Sequence, residues 1–236
     1  MKKLIFAIIL TLVPTKVFAA DTLESPSDMF FEFKAGKFVP NVDKEFGGSG
    51  PFKDIFGTGG SMLYNMQLDY RIFKGFGSLY IGSQAGFYWI SGKALLLDGT
   101  KSDDETALWL FPVGIKVTYR FDEFLKRWSV PLVPYVKLGL LYTFWFVTEG
   151  DGSIAEFSEG GAKARGGTYG WEFAAGLALQ LNIFDPSSAR NLDIETGINA
   201  TYLFAEWVYN SSDKFGADKA LSVGGDYFLF GLGFEF

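Results

Sequence analysis

One pattern constrains this chain more than any other. Stretches in which apolar and polar residues alternate recur about eight times, separated by turn-rich connections. A repeat of two residues marks a strand with unlike faces. Met62–Arg71 is the clearest: Met62, Tyr64, Met66, Leu68 and Tyr70 alternate with Leu63, Asn65, Gln67, Asp69 and Arg71. The spacing predicts further strands over Met29–Phe38, Ser78–Ile90, Thr106–Arg120, Tyr135–Val147, Gly170–Ile183, Leu192–Phe204 and Tyr227–Phe236.

Alternation alone does not say which face looks inward, so a soluble β-sandwich and a lipocalin-like cup stand beside a membrane barrel. Three features favour the membrane. The second face carries glycines and charges, which suits a narrow polar lumen. The apolar face has aromatic residues near strand ends, among them Phe31, Tyr64, Tyr70, Trp109, Tyr119, Trp171 and Phe204, as interfacial girdles require. The connections also alternate in length. Composition agrees: 48% of the 236 residues are hydrophobic and 18% aromatic, yet after the first segment no 18-residue window is apolar and free of charge. The expected fold class is all-β, an eight-stranded antiparallel up-and-down transmembrane β-barrel, in which every backbone group is satisfied between strands.

The first twenty residues are read separately. Met1-Lys2-Lys3 is basic, Leu4–Val13 is apolar, and Val17-Phe18-Ala19-Ala20 offers small-residue cleavage sites. Residues 1–20 are therefore expected to be a cleaved signal peptide, leaving 21–236 as the barrel domain. Losing Lys2, Lys3 and Lys16 leaves 18 basic against 27 acidic residues, a net charge of −9, which disfavours nucleic acid as a partner. The chain has no Cys and no His, which excludes disulfides, thiol chemistry and His-dependent catalysis. No catalytic, cofactor or metal site is expected. Gly57-Thr58-Gly59-Gly60 lacks the rest of a phosphate loop. The acids from Asp98 to Glu105 lack the spacing of a calcium loop and would hold a cation only loosely. Asn199-Ala200-Thr201 fits a glycosylation pattern but falls in an expected strand.

With both termini on the periplasmic side, the outer connections are 38–60, 91–105, 148–169 and 205–222, and the inner ones 72–77, 121–134 and 184–191. The final segment, with Phe230, Leu232, Phe234 and Phe236 at every second position, resembles the C-terminal targeting strand of bacterial outer-membrane proteins. Pro134-Tyr135-Val136-Lys137-Leu138-Gly139-Leu140 resembles a strand opening of small barrels of the OmpA, OmpX and OmpW type. As a pattern, the whole mature chain also resembles an uncharacterised group of myxobacterial outer-membrane barrels. The resemblance implies a bacterial outer-membrane location after export to the periplasm. The partners it implies are outer-membrane lipid and lipopolysaccharide, and the barrel-assembly machinery during insertion. A monomer is the default. The chain departs from OmpA in having no peptidoglycan-binding domain after the barrel.

The inward face is expected to carry Glu32, Lys34, Asp69, Arg71, Lys116, Arg120, Lys137, Glu172, Glu195 and Glu235, five acids and five bases. Charges confined in so narrow a space must pair, because an unpaired buried charge costs several kcal/mol or more. They form either a plug of salt bridges or a polar path for a small solute. Toward the outer ends this face turns apolar at Leu63, Tyr88, Ile90, Leu108, Leu110 and Trp145, either as packing beneath the loops or as a shallow apolar mouth. In the first loop, Phe52, Ile55 and Phe56 form either a lid folded over that mouth or an exposed partner-binding tip; the lid is favoured, since such residues rarely stay in water as a group. Ala94-Leu95-Leu96-Leu97 raises the same choice. The expected role is structural or surface-interaction work through four outer loops. Its alternative is a narrow transport or binding barrel for a small solute or apolar molecule.

Overall fold

The computed structural model describes residues 27–46, 50–95, 100–156, 161–216 and 221–236. The expected leader lies outside the described residues, as do Leu96, Leu97, Asp98 and Gly99. Eight strands follow one another: β1 (Met29–Phe38), β2 (Ser61–Gly75), β3 (Gly77–Leu95), β4 (Lys101–Arg120), β5 (Leu132–Glu149), β6 (Arg165–Gln180), β7 (Ala200–Ser211) and β8 (Gly225–Glu235). Each pairs antiparallel with the next, and β8 pairs back with β1, so the sheet is a closed barrel. Closure removes the exposed edges that invite mispairing. The last residue takes part: Met29 N donates to Phe236 O at 2.7 Å, and Phe236 N to Met29 O at 2.9 Å. Among the described residues no helix is long and apolar enough to cross a membrane.

The barrel is inverted relative to a soluble protein. Outward Ile115, Leu138 and Phe230 are 60%, 58% and 60% exposed, while inward Lys34, Lys116 and Lys137 are at most 2% exposed. A soluble cup or sandwich would bury the first set and expose the second. The alternation of β2 is preserved residue for residue, with Leu63, Asn65, Gln67 and Asp69 buried and Met62, Tyr64, Met66, Leu68 and Tyr70 exposed.

Among the described residues, three short helices lie in the connections. α1 (Pro51–Phe56) lies in the first loop after a 3-10 turn over Val42–Phe46; α2 (Glu123–Trp128) joins β4 to β5; α3 (Pro186–Thr196) joins β6 to β7. The last corrects the expected seventh strand. Asp185 caps α3 by accepting from Ser188 N at 3.0 Å, Pro186 opens it, and Gly197 closes it at φ 74°. The strand therefore begins at Ala200, not Leu192, and its facing is reversed. Ala200, Tyr202 and Phe204 look inward, so Phe204 is not a girdle residue, and Leu203, Trp207 and Tyr209 look outward. Glu195, expected in the lumen, is an exposed residue of α3.

Loop lengths also differ from expectation. β3 and β4 run on to Leu95 and Lys101, which shortens the second outer connection to residues 96–100. The inner connection 181–199 is longer than that because it holds α3, so long and short connections do not alternate throughout.

Candidate functional site: the lumen and its lid

Three layers of side chains fill the barrel axis. Nearest the termini, Phe30, Tyr80, Val133, Tyr135, Ala178, Ala200, Tyr202 and Phe204 form an aromatic cluster. Arg120 reaches into it from β4 and stands 3.9 Å from the Phe30 ring centroid and 4.5 Å from that of Tyr202. Its Nη1 has no hydrogen-bond partner among the described residues. Just below, Glu235 accepts from Tyr202 OH at 2.9 Å and lies 3.4 Å from Arg71, which also pairs with Asp28 at 2.9 Å.

The middle layer is ionic. Lys34 Nζ donates to Glu206 Oε1 at 2.7 Å, Gln67 Oε1 at 3.0 Å and Glu32 Oε2 at 3.2 Å. Three N–H groups thus meet three acceptors, all that an ammonium can use. Lys137, reaching across from β5, pairs with the same two carboxylates, Glu32 at 2.5 Å and Glu206 at 2.9 Å. Tyr135 OH donates to Glu206 Oε2 at 3.1 Å. Gln67 turns its amide nitrogen to Asp69, at 2.8 and 3.0 Å, and Thr118 OH donates to Asp69 at 3.1 Å. A second pair, Lys116 with Glu172, spans from β4 to β6. The lysine stem crosses β5 at Gly139, where a Cβ would lie 2.7 Å from Lys116 Cγ. Glycine there makes room for the charge to reach its partner.

The outer layer is apolar: Phe38, Leu63, Tyr88, Ile90, Leu108 and Leu110, with Trp145 packed against them. Phe38 stands 5.3 Å from Tyr88 and 4.7 Å from Tyr227, centroid to centroid. α1 covers this layer. Phe52 is buried beneath it, Phe56 packs at its side 5.1 Å from Phe52, and Ile55 is half-buried. The lid is seated on β3, where a Cβ on Gly92 would lie 2.3 Å from Ile55 O. Asp43 fixes its start by accepting from Phe52 N and Lys53 N at 2.8 and 2.9 Å.

Of the residues expected in the lumen, Glu32, Lys34, Asp69, Lys116, Arg120, Lys137 and Glu172 are buried there, and Arg71 and Glu235 stand at its termini end. Glu195 is not among them. Glu206 takes its place, although the alternation pattern puts 205–222 in an outer connection. The signal was present: Asp185-Pro186 and Gly197 bracket a helix, which moves the following strand onto Leu203–Tyr209 with Glu206 as its one charge. The aromatic ends of the final strand face outward, with Phe230 and Leu232 exposed and Phe234 and Phe236 half-buried. Among the described residues no group of three metal-ligating side chains is assembled.

No protein-family model matches the chain, and no curated protein matches it. Solved structures of similar shape are those of Neisserial surface protein A, of the outer membrane protein OprG from Pseudomonas aeruginosa, and of the N-terminal β-barrel domain of OprF from the same organism. The first is 15% identical with a TM-score of 0.49, over 88% of this chain and 97% of that one. OprG is 13% identical with a TM-score of 0.49, over 92% and 99%. The OprF domain is 14% identical with a TM-score of 0.44, over 89% and 98%.

Proposed function

We propose that this chain is an integral barrel of a bacterial outer membrane, exported by its leader, monomeric, and plugged along its axis. In this role it works structurally and through surface interactions of its outer loops. One observation carries the proposal: a continuous band of large apolar side chains faces out while four buried cations and four buried carboxylates face in. Such a band would be unstable in water and is at home in lipid. The plug is supported by the cross-lumen contacts of Lys34, Lys116 and Lys137, each of which pairs with a buried carboxylate on another strand. A non-catalytic role fits a chain with neither His nor Cys.

A second reading, a narrow path for a small solute, is favoured by one feature. Asn65 Oδ1, Gln84 Oε1 and Thr143 Oγ1 are buried in the lumen without a hydrogen-bond partner among the described residues, as in a site that takes up water or solute. Planar-bilayer recordings separate the two. The plugged barrel inserts and passes no steady ionic current; a stable open-channel current from the wild-type chain would overturn the plug and leave the path.

A further inference from the structure

The first loop holds a cavity that the plug does not use. Its volume is about 370 Å³, within the range of small-ligand sites. It lies between the end of β1 and the lid, lined by Val39, Pro40, Asn41, Lys44, Lys53 and Thr58, with Asp43 and buried Phe52 at its base.

Four properties of this cavity converge on one ligand chemistry. The first is charge. Lys44 and Lys53 are exposed, and neither has an ion pair among the described residues. The acid beside them, Asp43, has both oxygens committed to the backbone N–H groups of Phe52 and Lys53. Two exposed ammonium groups against this one carboxylate leave the lining net positive in a chain with 27 acidic and 21 basic residues, which favours an anion. The second is neutral polarity: Asn41 and Thr58 offer an amide and a hydroxyl, the groups that bond ligand hydroxyls. The third is the apolar side, Val39 and Pro40 over buried Phe52, which suits the C–H face of a sugar ring. The fourth is support. Asn41 N donates to Gly224 O at 2.8 Å, tying the cavity wall to the strand β8 side, and the Asp43 cap fixes the helix that carries Lys53.

Position names the sources. Val39 is exposed and continues the outward apolar face of β1 and β2, where Phe33, Met62 and Tyr64 are also exposed. The cavity therefore opens beside the upper edge of the lipid band. We infer that it binds a phosphorylated sugar, either the headgroup of a glycolipid in the outer leaflet or a free sugar phosphate. The inference rests on the membrane placement proposed above.

The test uses the full mature chain in nanodiscs. Binding is measured by titration calorimetry with glucose 6-phosphate, glucose and inorganic phosphate. It is measured separately with lipid A supplied in the disc, read as chemical-shift change at Asn41 and Thr58. Saturable binding of glucose 6-phosphate, tighter than that of glucose or phosphate alone, supports a soluble source. Shifts with lipid A and none with the free sugar phosphate support the headgroup. In either case Lys44→Gln with Lys53→Gln should weaken binding at least tenfold while the folded barrel keeps its heat-sensitive gel mobility. Binding unchanged in that variant, inorganic phosphate binding as tightly as the sugar phosphate, or no response to any probe overturns the inference. A chain that inserts into discs and binds nothing refutes the cavity assignment alone; a chain that does not insert refutes the membrane placement as well.

Discussion

Glu206 shows how much can rest on one side chain in a lumen. It accepts from Lys34 on β1 and from Lys137 and Tyr135 on β5. Removing it leaves two buried ammonium groups short of a counter-charge, and breaking a buried pair in this way costs about 3–5 kcal/mol. Glu206→Ala should lower the urea midpoint of the barrel in vesicles accordingly. Glu195→Ala, on the exposed surface of α3, should change stability by no more than about 0.5 kcal/mol. Equal losses would mean that the seventh strand is misplaced. Asp185 supplies a different signature. Its bonds to the side chain and backbone of Ser188 hold its carboxyl at about 2, below the ordinary 3.8. A lowered folded value stabilises α3 above the unfolded pKa, and that contribution is lost as pH falls from near 4 through 2. Amide exchange in α3 should accelerate over that window, and Asp185→Asn should abolish the pH dependence while leaving the barrel amides unchanged.

At the scale of elements, what the sequence revealed and what it hid have the same cause. Polarity alternates cleanly wherever the lumen side is ionic or glycine, as along β2 and β4, and there both strand and facing were readable. Near the termini the lumen is filled by aromatic rings around Arg120, so Tyr202 and Phe204 look inward while equally apolar Leu203 and Trp207 look outward. Polarity then cannot assign a face, and the run from Leu192 joins a helix to a strand of matching phase. The lid was legible because Phe52, Ile55 and Phe56 stand apart in a Gly-rich loop; its seat on Gly92 was not, being a contact distant in sequence. That seat is testable. Gly92→Val places a side chain where the Ile55 carbonyl lies, so α1 should lift. Trypsin should then cut at Lys53 several-fold faster while the barrel retains its folded gel mobility. An unchanged cleavage rate would show that α1 does not depend on this contact.

For the whole molecule, closure and inversion work together. The C-terminal residue hydrogen-bonds to the start of β1, and the sheet so closed has one face for lipid and one for itself. Glycines such as Gly139 and Gly233 lie opposite large inward groups, Lys116 and Phe30, which lets an eight-stranded barrel hold both without widening. The absence of native Cys makes the inversion directly measurable, because each introduced Cys is the only site for a nitroxide label. The decisive experiment is a power-saturation scan of single labels from residue 62 to 70 in lipid vesicles. Labels at Met62, Tyr64, Met66, Leu68 and Tyr70 should be relaxed by dissolved oxygen, as lipid-facing sites are, and those at Leu63, Asn65, Gln67 and Asp69 should be shielded from it. The opposite phase, or a chain that stays in solution with its even-numbered labels buried, would contradict the account.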